Sequence, residues 1–430
     1  MRWRRTVLIV LTLTGALVLP ACGGGGSGAG SGAGHTVLVD YNHDEFAGSF
    51  LAYFPRSVSV HPGDTVTFKQ AWTGEPHSVT MGTLTDGLMR EVLPLFEKYP
   101  NSSGEEVKAQ HPEDYAIYER VCLEGGKLPL DENATCPALP DMASFGGPDI
   151  ITMNQNGAQP CFLDSGSPPL DKNKPCPRRA QPAFNGRQSY YSSGFIHYEG
   201  AQGNTYKITL SNDIKPGNYQ YYCNLHGPGM SGAIEVKPET ASVPSQSSVD
   251  REARREIEKM ATPMLKAFKQ ARAGNVKLDG KPFKGNLTGY GVEDQNFEGF
   301  ISEFFPNPIK AKVGEKVTWR VDGHTVSFDV PRYFPIATVA KNGKVTFNPR
   351  AVKPINSPVA QFPQGGGGGG PGQSTPPVDV DAGTWDGRSF ISSGNPESAI
   401  NWSLTFTKAG KYKYACLIHP RMVGEVDVSG

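Results

Sequence analysis

The 430-residue sequence lacks an excess of charge of either sign: Lys+Arg and Asp+Glu are both 42, for a formal net charge of zero. No basic surplus points to nucleic acid, and no acidic surplus points to a disordered polyanion. Long apolar runs are also missing. Only one run could engage a membrane, and it lies at the N-terminus, which excludes a polytopic membrane protein. No His-x-His pair occurs anywhere among the nine histidines. Gly (51) and Pro (36) are abundant. That excess suits a loop-rich β protein better than a helical bundle, and the length is enough for about two to three domains.

Residues 1–22 read MRWRRTVLIVLTLTGALVLPAC. Arg2, Arg4 and Arg5 precede a short apolar stretch from Val7 to Leu19, the pattern of a secretory signal over 1–21 rather than of a fold element. The closing Leu19-Pro20-Ala21-Cys22 resembles the lipobox of bacterial lipoproteins, which implies a lipid on the Cys22 thiol and a membrane anchor. The Gly/Ser/Ala stretch that completes 22–34 then reads as a flexible tether. The expected location is extracytoplasmic, at the cell surface or in the periplasm. Removing 1–21 takes three Arg, leaving 39 basic against 42 acidic residues, or −3.

Export places the remaining cysteines in an oxidising compartment. Cys122, Cys136, Cys161 and Cys176 cluster within 55 residues and are even in number, the pattern of two disulfides. Four cysteines allow three connectivities; the short-loop pairings Cys122–Cys136 and Cys161–Cys176 are the first choice. Cys223 and Cys416 are left, far apart, each within a similar local sequence. They pair with each other or bind metal.

The sequence aligns with itself at long range. FLAYFPRSVSVHPGDTVTF (50–68), PHSVTM (76–81), FNGRQSYYSSG (184–194) and KPGNYQYYCNLHGPGMSGAIEV (215–236) form one copy. FISEFFPNPIKAKVGEKVTW (300–319), GHTVSF (323–328), WDGRSFISSG (385–394) and KAGKYKYACLIHPRMVGEVDV (408–428) form the other. Pro55 to Gly63 and Pro306 to Gly314 are both eight positions; Gly217 to Cys223 and Gly410 to Cys416 are both six. Val58, Val60, Val66 and Phe68, and likewise Ile309, Ala311, Val317 and Trp319, alternate with polar residues around Gly-containing turns. Short alternating runs of this kind predict an antiparallel sandwich.

Each copy offers one upstream His and a C-terminal Cys-His-Met cluster. These are His77, Cys223, His226 and Met230 in the first, and His324, Cys416, His419 and Met422 in the second. Two imidazoles, a thiolate and a weak thioether are the donor set of a blue-copper site. Soft sulfur favours Cu(I), imidazole serves both oxidation states, and a compromise geometry needs little rearrangement when an electron moves. A Cys at a strand end with His and Met on the following turn brings three donors to one point.

These residues resemble the cupredoxin family of type 1 copper proteins, such as plastocyanin, pseudoazurin and amicyanin. The family pattern is a distant His, then Cys-x2-His-x2-to-4-Met, often followed by Met-x-Gly and a strand. Met230-Ser231-Gly232 and Met422-Val423-Gly424 both fit it. The resemblance implies two copper ions of type 1, one per copy, and electron transfer with a redox protein partner. It also implies that His226 and His419 lie near the surface as electron exits, with Gly227-Pro228-Gly229 and Pro420 forming docking patches. Copper delivery or sensing without electron transfer is the alternative. A copper oxidase or nitrite-reductase-like enzyme is disfavoured, because such relatives place a His beside the copper Cys, whereas Cys223 is flanked by Tyr222 and Asn224 and Cys416 by Ala415 and Leu417. No catalytic residue is assigned, and an electron carrier is preferred to an enzyme.

The expected fold is mainly β: two cupredoxin-like Greek-key sandwiches over 35–238 and 283–430, joined by a linker with helices over 239–282. The first carries an insertion, 83–183, with all four presumed disulfide cysteines and helices expected at Asp86–Glu97 and from Pro112 toward Cys122. The second carries a smaller excursion, 331–383, with a hairpin signal at Lys341–Lys344 and a low-complexity GGGGGGPGQSTPP run. In the linker, 249–260 and 263–273 read as two helices, with Thr262 as a cap and Pro263 at a first turn.

Overall fold

A computed structural model describes residues 34–99, 104–118, 181–188, 191–196, 205–223, 226–278, 281–291, 299–332, 335, 337–339, 345–348, 355, 377–396 and 399–430. Cys22, Cys122, Cys136, Cys161 and Cys176 fall outside the described residues, as does the signal segment.

The protein is mainly β, and the two sequence repeats build matching five-stranded sheets. The first has the order Ser57–Val60, Gly227–Val236, Gly217–Cys223, Thr80–Met81, Tyr191–Ser192. The second has the order Ile309–Lys312, Val423–Ser429, Gly410–Ala415, Ser327–Phe328, Ile391–Ser392. The expected alternation holds: Val58, Val60, Val66 and Phe68 are buried, as are Ile309, Ala311, Val317 and Trp319. The peptide bonds Phe54–Pro55 and Phe305–Pro306 are both cis. Tyr219 donates its hydroxyl to the Lys215 carbonyl at 2.8 Å, and Tyr412 does the same to Lys408 at 3.0 Å. Each tyrosine thereby pins the start of the strand that leads to its cysteine.

The opposing sheets differ. The first repeat has four strands, Tyr53–Phe54, Gly34–Val39, Thr65–Gln70 and Thr205–Thr209. The second has six: Gly48–Ser49, Phe300–Phe305, Asn286–Gly291, Lys316–Val321, Ile400–Phe406 and Val378–Trp385. The edge strand of that six is lent by the first repeat, with Ser49 opposite Phe300 and Gly48 opposite Ile301. A Cβ on Gly48 would lie 2.7 Å from the Phe300 carbonyl oxygen, so the two backbones meet there only because the residue is glycine. The pairing covers a sheet edge that would otherwise stand open.

The linker is one helix, Gln246–Arg272, rather than two. Its apolar stripe (Val249, Ala253, Ile257, Met260, Ala261, Met264, Ala271) runs unbroken past Pro263. Thr262 does not cap; its hydroxyl donates to the Glu258 carbonyl one turn back, at 2.8 Å. Burial of a continuous stripe outweighs the single backbone donor that proline lacks. The stripe packs on Phe46, Phe50 and Phe54 of the first repeat and Leu287, Ile301 and Phe305 of the second, forming a second core between the repeats.

In the insertion, the expected helix at Asp86–Glu97 is observed as Thr83–Lys98, and the Pro112 helix as Pro112–Tyr118. A short helix, Gly104–Gln110, was not expected. Asp86 ties the first of these helices to the Gly217–Cys223 strand by accepting the Gln220 N–H at 3.0 Å. The hairpin signal is matched by Ala337–Val339 pairing antiparallel with Val345–Phe347.

Candidate metal centres

His77, Cys223 and His226 converge on one point, and His324, Cys416 and His419 on another; all six are buried. In the first site the two His Nδ1 atoms lie 3.2 Å apart, and Cys223 Sγ is 3.9 Å from His77 Nδ1 and 3.6 Å from His226 Nδ1. The corresponding distances in the second are 3.0, 3.9 and 3.7 Å. Both cysteines are free, so they do not pair with each other. Met230 and Met422 are fully buried in the same core as the two cysteines.

Local structure aims each donor. Cys223 ends its strand, and the chain turns at His226 into the next. In the second loop the turn is closed by Met422 N–H to the His419 carbonyl (3.1 Å) and by Cys416 N–H to the Met422 carbonyl (3.0 Å). The cysteine sulfurs take backbone donors: Ser78 N–H to Cys223 at 3.4 Å, and Thr325 and Ile418 N–H to Cys416 at 3.5 and 3.4 Å. The repeated Ser-Ser-Gly, quoted in the sequence without a role, anchors the upstream histidines. Ser193 Oγ accepts the Val79 N–H at 2.8 Å, and Ser393 Oγ accepts the Val326 N–H at 2.9 Å, each two residues after the ligand His.

Two carboxylates that the sequence reading missed complete the site. Asp40 Oδ2 meets His77 Nε2 at 3.2 Å. Asp40 is held in turn by N–H donors from Tyr41 (2.7 Å) and Phe50 (2.8 Å) and by the Thr73 hydroxyl (2.7 Å). This fixes the His77 tautomer that leaves Nδ1 free for a metal. Glu75 Oε2 meets His226 Nε2 at 3.0 Å, while Glu75 Oε1 lies 3.7 Å from Nε2 of His419, of the other triangle. The first contact is a hydrogen bond; the second is an ion pair beyond hydrogen-bond range. One signal for Glu75 was present in the sequence. Gln70 to His77 spans seven positions where Val321 to His324 spans three, and the longer loop carries Glu75.

The electrostatics follow from these contacts. Burial alone would push the Cys223 thiol up, but the His226 and His77 contacts outweigh it and hold it well below its ordinary value; His324 and His419 do the same for Cys416. Burial alone would lower His226 and His419. Their cysteines and Glu75 reverse this, raising His226 well above the usual imidazole value and His419 to about 9. Glu75 is buried, which would raise its carboxyl, yet the two imidazoles hold it far below the usual range. In both sites the contacts thus favour the charged forms of the cysteine and the C-terminal histidine against the effect of burial.

The expectation that His226 and His419 lie at the surface is corrected. They are 4% and 2% exposed, turned toward each other across Glu75. The Gly74 backbone lies so close that a Cβ there would stand 2.5 Å from the Ile418 carbonyl oxygen and 3.0 Å from His419 Cδ2.

No protein-family model matches the chain, and no curated protein matches it. Among solved structures, dithionite-reduced auracyanin from Roseiflexus castenholzii is 15% identical, covering 49% of this chain and 100% of its own, with a TM-score of 0.21. An oxidized mutant amicyanin is 22% identical over 29% of this chain and 72% of its own, with a TM-score of 0.13. The multicopper oxidase mgLAC is 10% identical over 92% of this chain and 86% of its own, with a TM-score of 0.18. At such scores these likenesses do not bear on function, and the ligand geometry must carry it.

Proposed function

We propose that the protein is an extracytoplasmic copper protein with one type 1 copper in each of two cupredoxin domains, 35–238 and 283–430, and that it passes electrons between redox protein partners. The observation that carries this reading is the repeated, buried His-Cys-His triangle. An ion bound at about 2.0–2.1 Å to nitrogen and about 2.3 Å to sulfur in a trigonal plane has edges of roughly 3.5 and 3.8 Å. The observed edges, 3.2, 3.6 and 3.9 Å in one site and 3.0, 3.7 and 3.9 Å in the other, match the nitrogen–sulfur edges closely and fall short of the nitrogen–nitrogen edge by about half an ångström or less. Two imidazoles with one thiolate suit copper in both oxidation states. When bound, copper supplies a one-electron couple. The chain's part is to hold the donors in one arrangement through the change: Asp40 fixes His77, backbone N–H groups fix the sulfurs, and burial excludes water. Met230 and Met422, buried in the same core as the cysteines, would supply weak thioether donors. A lipid on Cys22 and the 22–34 tether would hold the protein at the membrane.

Loading the chain with Cu(II) tests this. An intense thiolate-to-copper absorption band is expected, with about two coppers bound. Cys223→Ser and Cys416→Ser should each remove one copper and its share of the band. A colourless protein that binds Cu(II) elsewhere, or binds none, overturns the reading.

A further inference from the structure

Glu75 is a buried carboxylate on a loop that the second repeat lacks, and it stands between the two ligand sets. Its oxygens face one imidazole from each, His226 Nε2 at 3.0 Å and His419 Nε2 at 3.7 Å. The loop is held from both sides. Gln70 Nε2 donates to the Glu75 carbonyl at 3.5 Å and Gln70 Oε1 accepts the His77 N–H at 3.3 Å. On the far side, Gly74 closes onto the Ile418 carbonyl and the His419 ring. In both histidines Nδ1 faces the sulfur and Nε2 faces Glu75, so each ring lies between a metal position and the same carboxylate.

From this arrangement we infer that Glu75 couples the two metal sites, so that loading or charge at one changes the donor strength of the other. The reading rests on both triangles being metal sites. A carboxylate bonded to the outer nitrogen of a ligand histidine makes that imidazole a stronger donor. Here one carboxylate serves two ligands. Whatever draws it toward His226 weakens its hold on His419, and the reverse. The sites thus act as a linked pair, not as two independent mononuclear centres, and the coupling is reciprocal by thermodynamic necessity. The unequal distances place the stronger effect on the first site.

Cobalt(II) alone is the probe, since its binding and thiolate absorption need no redox chemistry. Affinity is read at each site separately in the full chain, in Cys416→Ser for the first and Cys223→Ser for the second. Adding Glu75→Gln should weaken cobalt binding at both, within the roughly 10–100-fold range of outer-partner substitutions and more at the first site. An effect confined to the first site overturns the inference. In the otherwise unaltered chain, the cobalt–thiolate band of the first-filled site should move as the second fills, and that movement should shrink severalfold in Glu75→Gln. An undiminished movement also overturns it. Thermal melting verifies that the variant folds. If it does not, Glu75→Asp keeps the charge but is one methylene shorter, and should lose the His419 site's share first; equal affinity at that site in the presence of Asp counts against coupling. The copper reading fails separately: cobalt coupling without a thiolate-to-copper band leaves Glu75 in its role and removes type 1 copper.

Discussion

Asp40 and Gly289 occupy the same place in the two repeats, and they make the two His-Cys-His triangles unequal. Val37 pairs with Phe68, and Asn286 pairs with Trp319, the residue at the matching position of the second repeat. Three residues on in each case come Asp40, just past its strand, and Gly289, both in left-handed backbone, with φ of 59° and 73°. In the first repeat a carboxylate reaches His77 Nε2; in the second there is no side chain, and the backbone itself crowds His324.

The first prediction follows from that inequality. A carboxylate on a ligand imidazole favours the more positive oxidation state of the metal. Under the copper reading, the Cys223 site should have the lower reduction potential, so an electron shared by the pair rests on the Cys416 site. Asp40→Asn keeps Oδ1 for the Tyr41 and Phe50 N–H donors and replaces Oδ2, which accepts from Thr73 and faces His77, with an uncharged amide NH2. Redox titration in the Cys416→Ser background should show the first site's potential rise. The second site, read in Cys223→Ser, should hardly move. Equal potentials in the unaltered sites, with no response to Asp40→Asn, would falsify the assignment.

Gly289→Ala should destroy the second site and spare the first. A Cβ at Gly289 would sit 2.2 Å from His324 Nε2. Neither atom can yield cheaply, because the ring is packed 6.2 Å from Phe300 and 4.7 Å from His419. The positive φ adds strain of about 1–3 kcal/mol for a non-glycine residue. The expected result is one metal per chain in place of two, with the remaining signal lost on Cys223→Ser. Two retained metals would mean that the local backbone relaxes.

The donors themselves were legible because soft-metal chemistry restricts residue type and loop spacing, and the duplication prints both twice. His77, Cys223, His226 and their counterparts meet as the spacing implied. What lay between the repeats was not legible. Glu75 and Asp40 are ordinary acidic residues in loops, and their roles arise only when distant strands bring them to an imidazole. The burial of His226 and His419 had the same cause. A resemblance to single sandwiches implies an exposed C-terminal histidine, but here Glu75 lies against both rings and Gly74 closes onto His419. The linker helix was divided at Pro263 because local backbone rules favour a break, whereas tertiary burial of Met260, Ala261 and Met264 on one face carries the helix through.

Met264 tests how far the core between the repeats supports the whole. It is fully buried beside Pro263, among Phe46, Phe50, Phe54 and Phe305. Met264→Ala should destabilise the metal-free protein by about 2–5 kcal/mol, the usual effect of truncating a large buried side chain. Urea denaturation measures it. If the second core is integral to a single cooperative unit, the midpoint falls and the transition stays single. A transition that splits in two would show that the repeats unfold separately once their shared core is weakened.

Glu303 gives the pH dependence a sign. It lies in the strand that receives Gly48–Ser49, and its Oε1 accepts the Ala47 N–H at 3.0 Å. Burial raises its carboxyl above the ordinary value of 4.5, against the opposing pull of the Ala47 N–H, Arg272 and Arg421. A folded-state value above the unfolded one means that the folded protein binds the proton more tightly. As pH climbs from 4.5 through the folded value, the unfolded state releases its proton first, so stability falls across that window. Glu303→Gln keeps an acceptor for Ala47 and removes the titration. The variant should therefore gain stability relative to the parent as pH is raised from 4 to 7, read from urea midpoints at each pH with the metal absent. A difference that is flat with pH, or that shrinks toward neutrality, would mean that the charged carboxylate is accommodated between the repeats by Arg272 and Arg421.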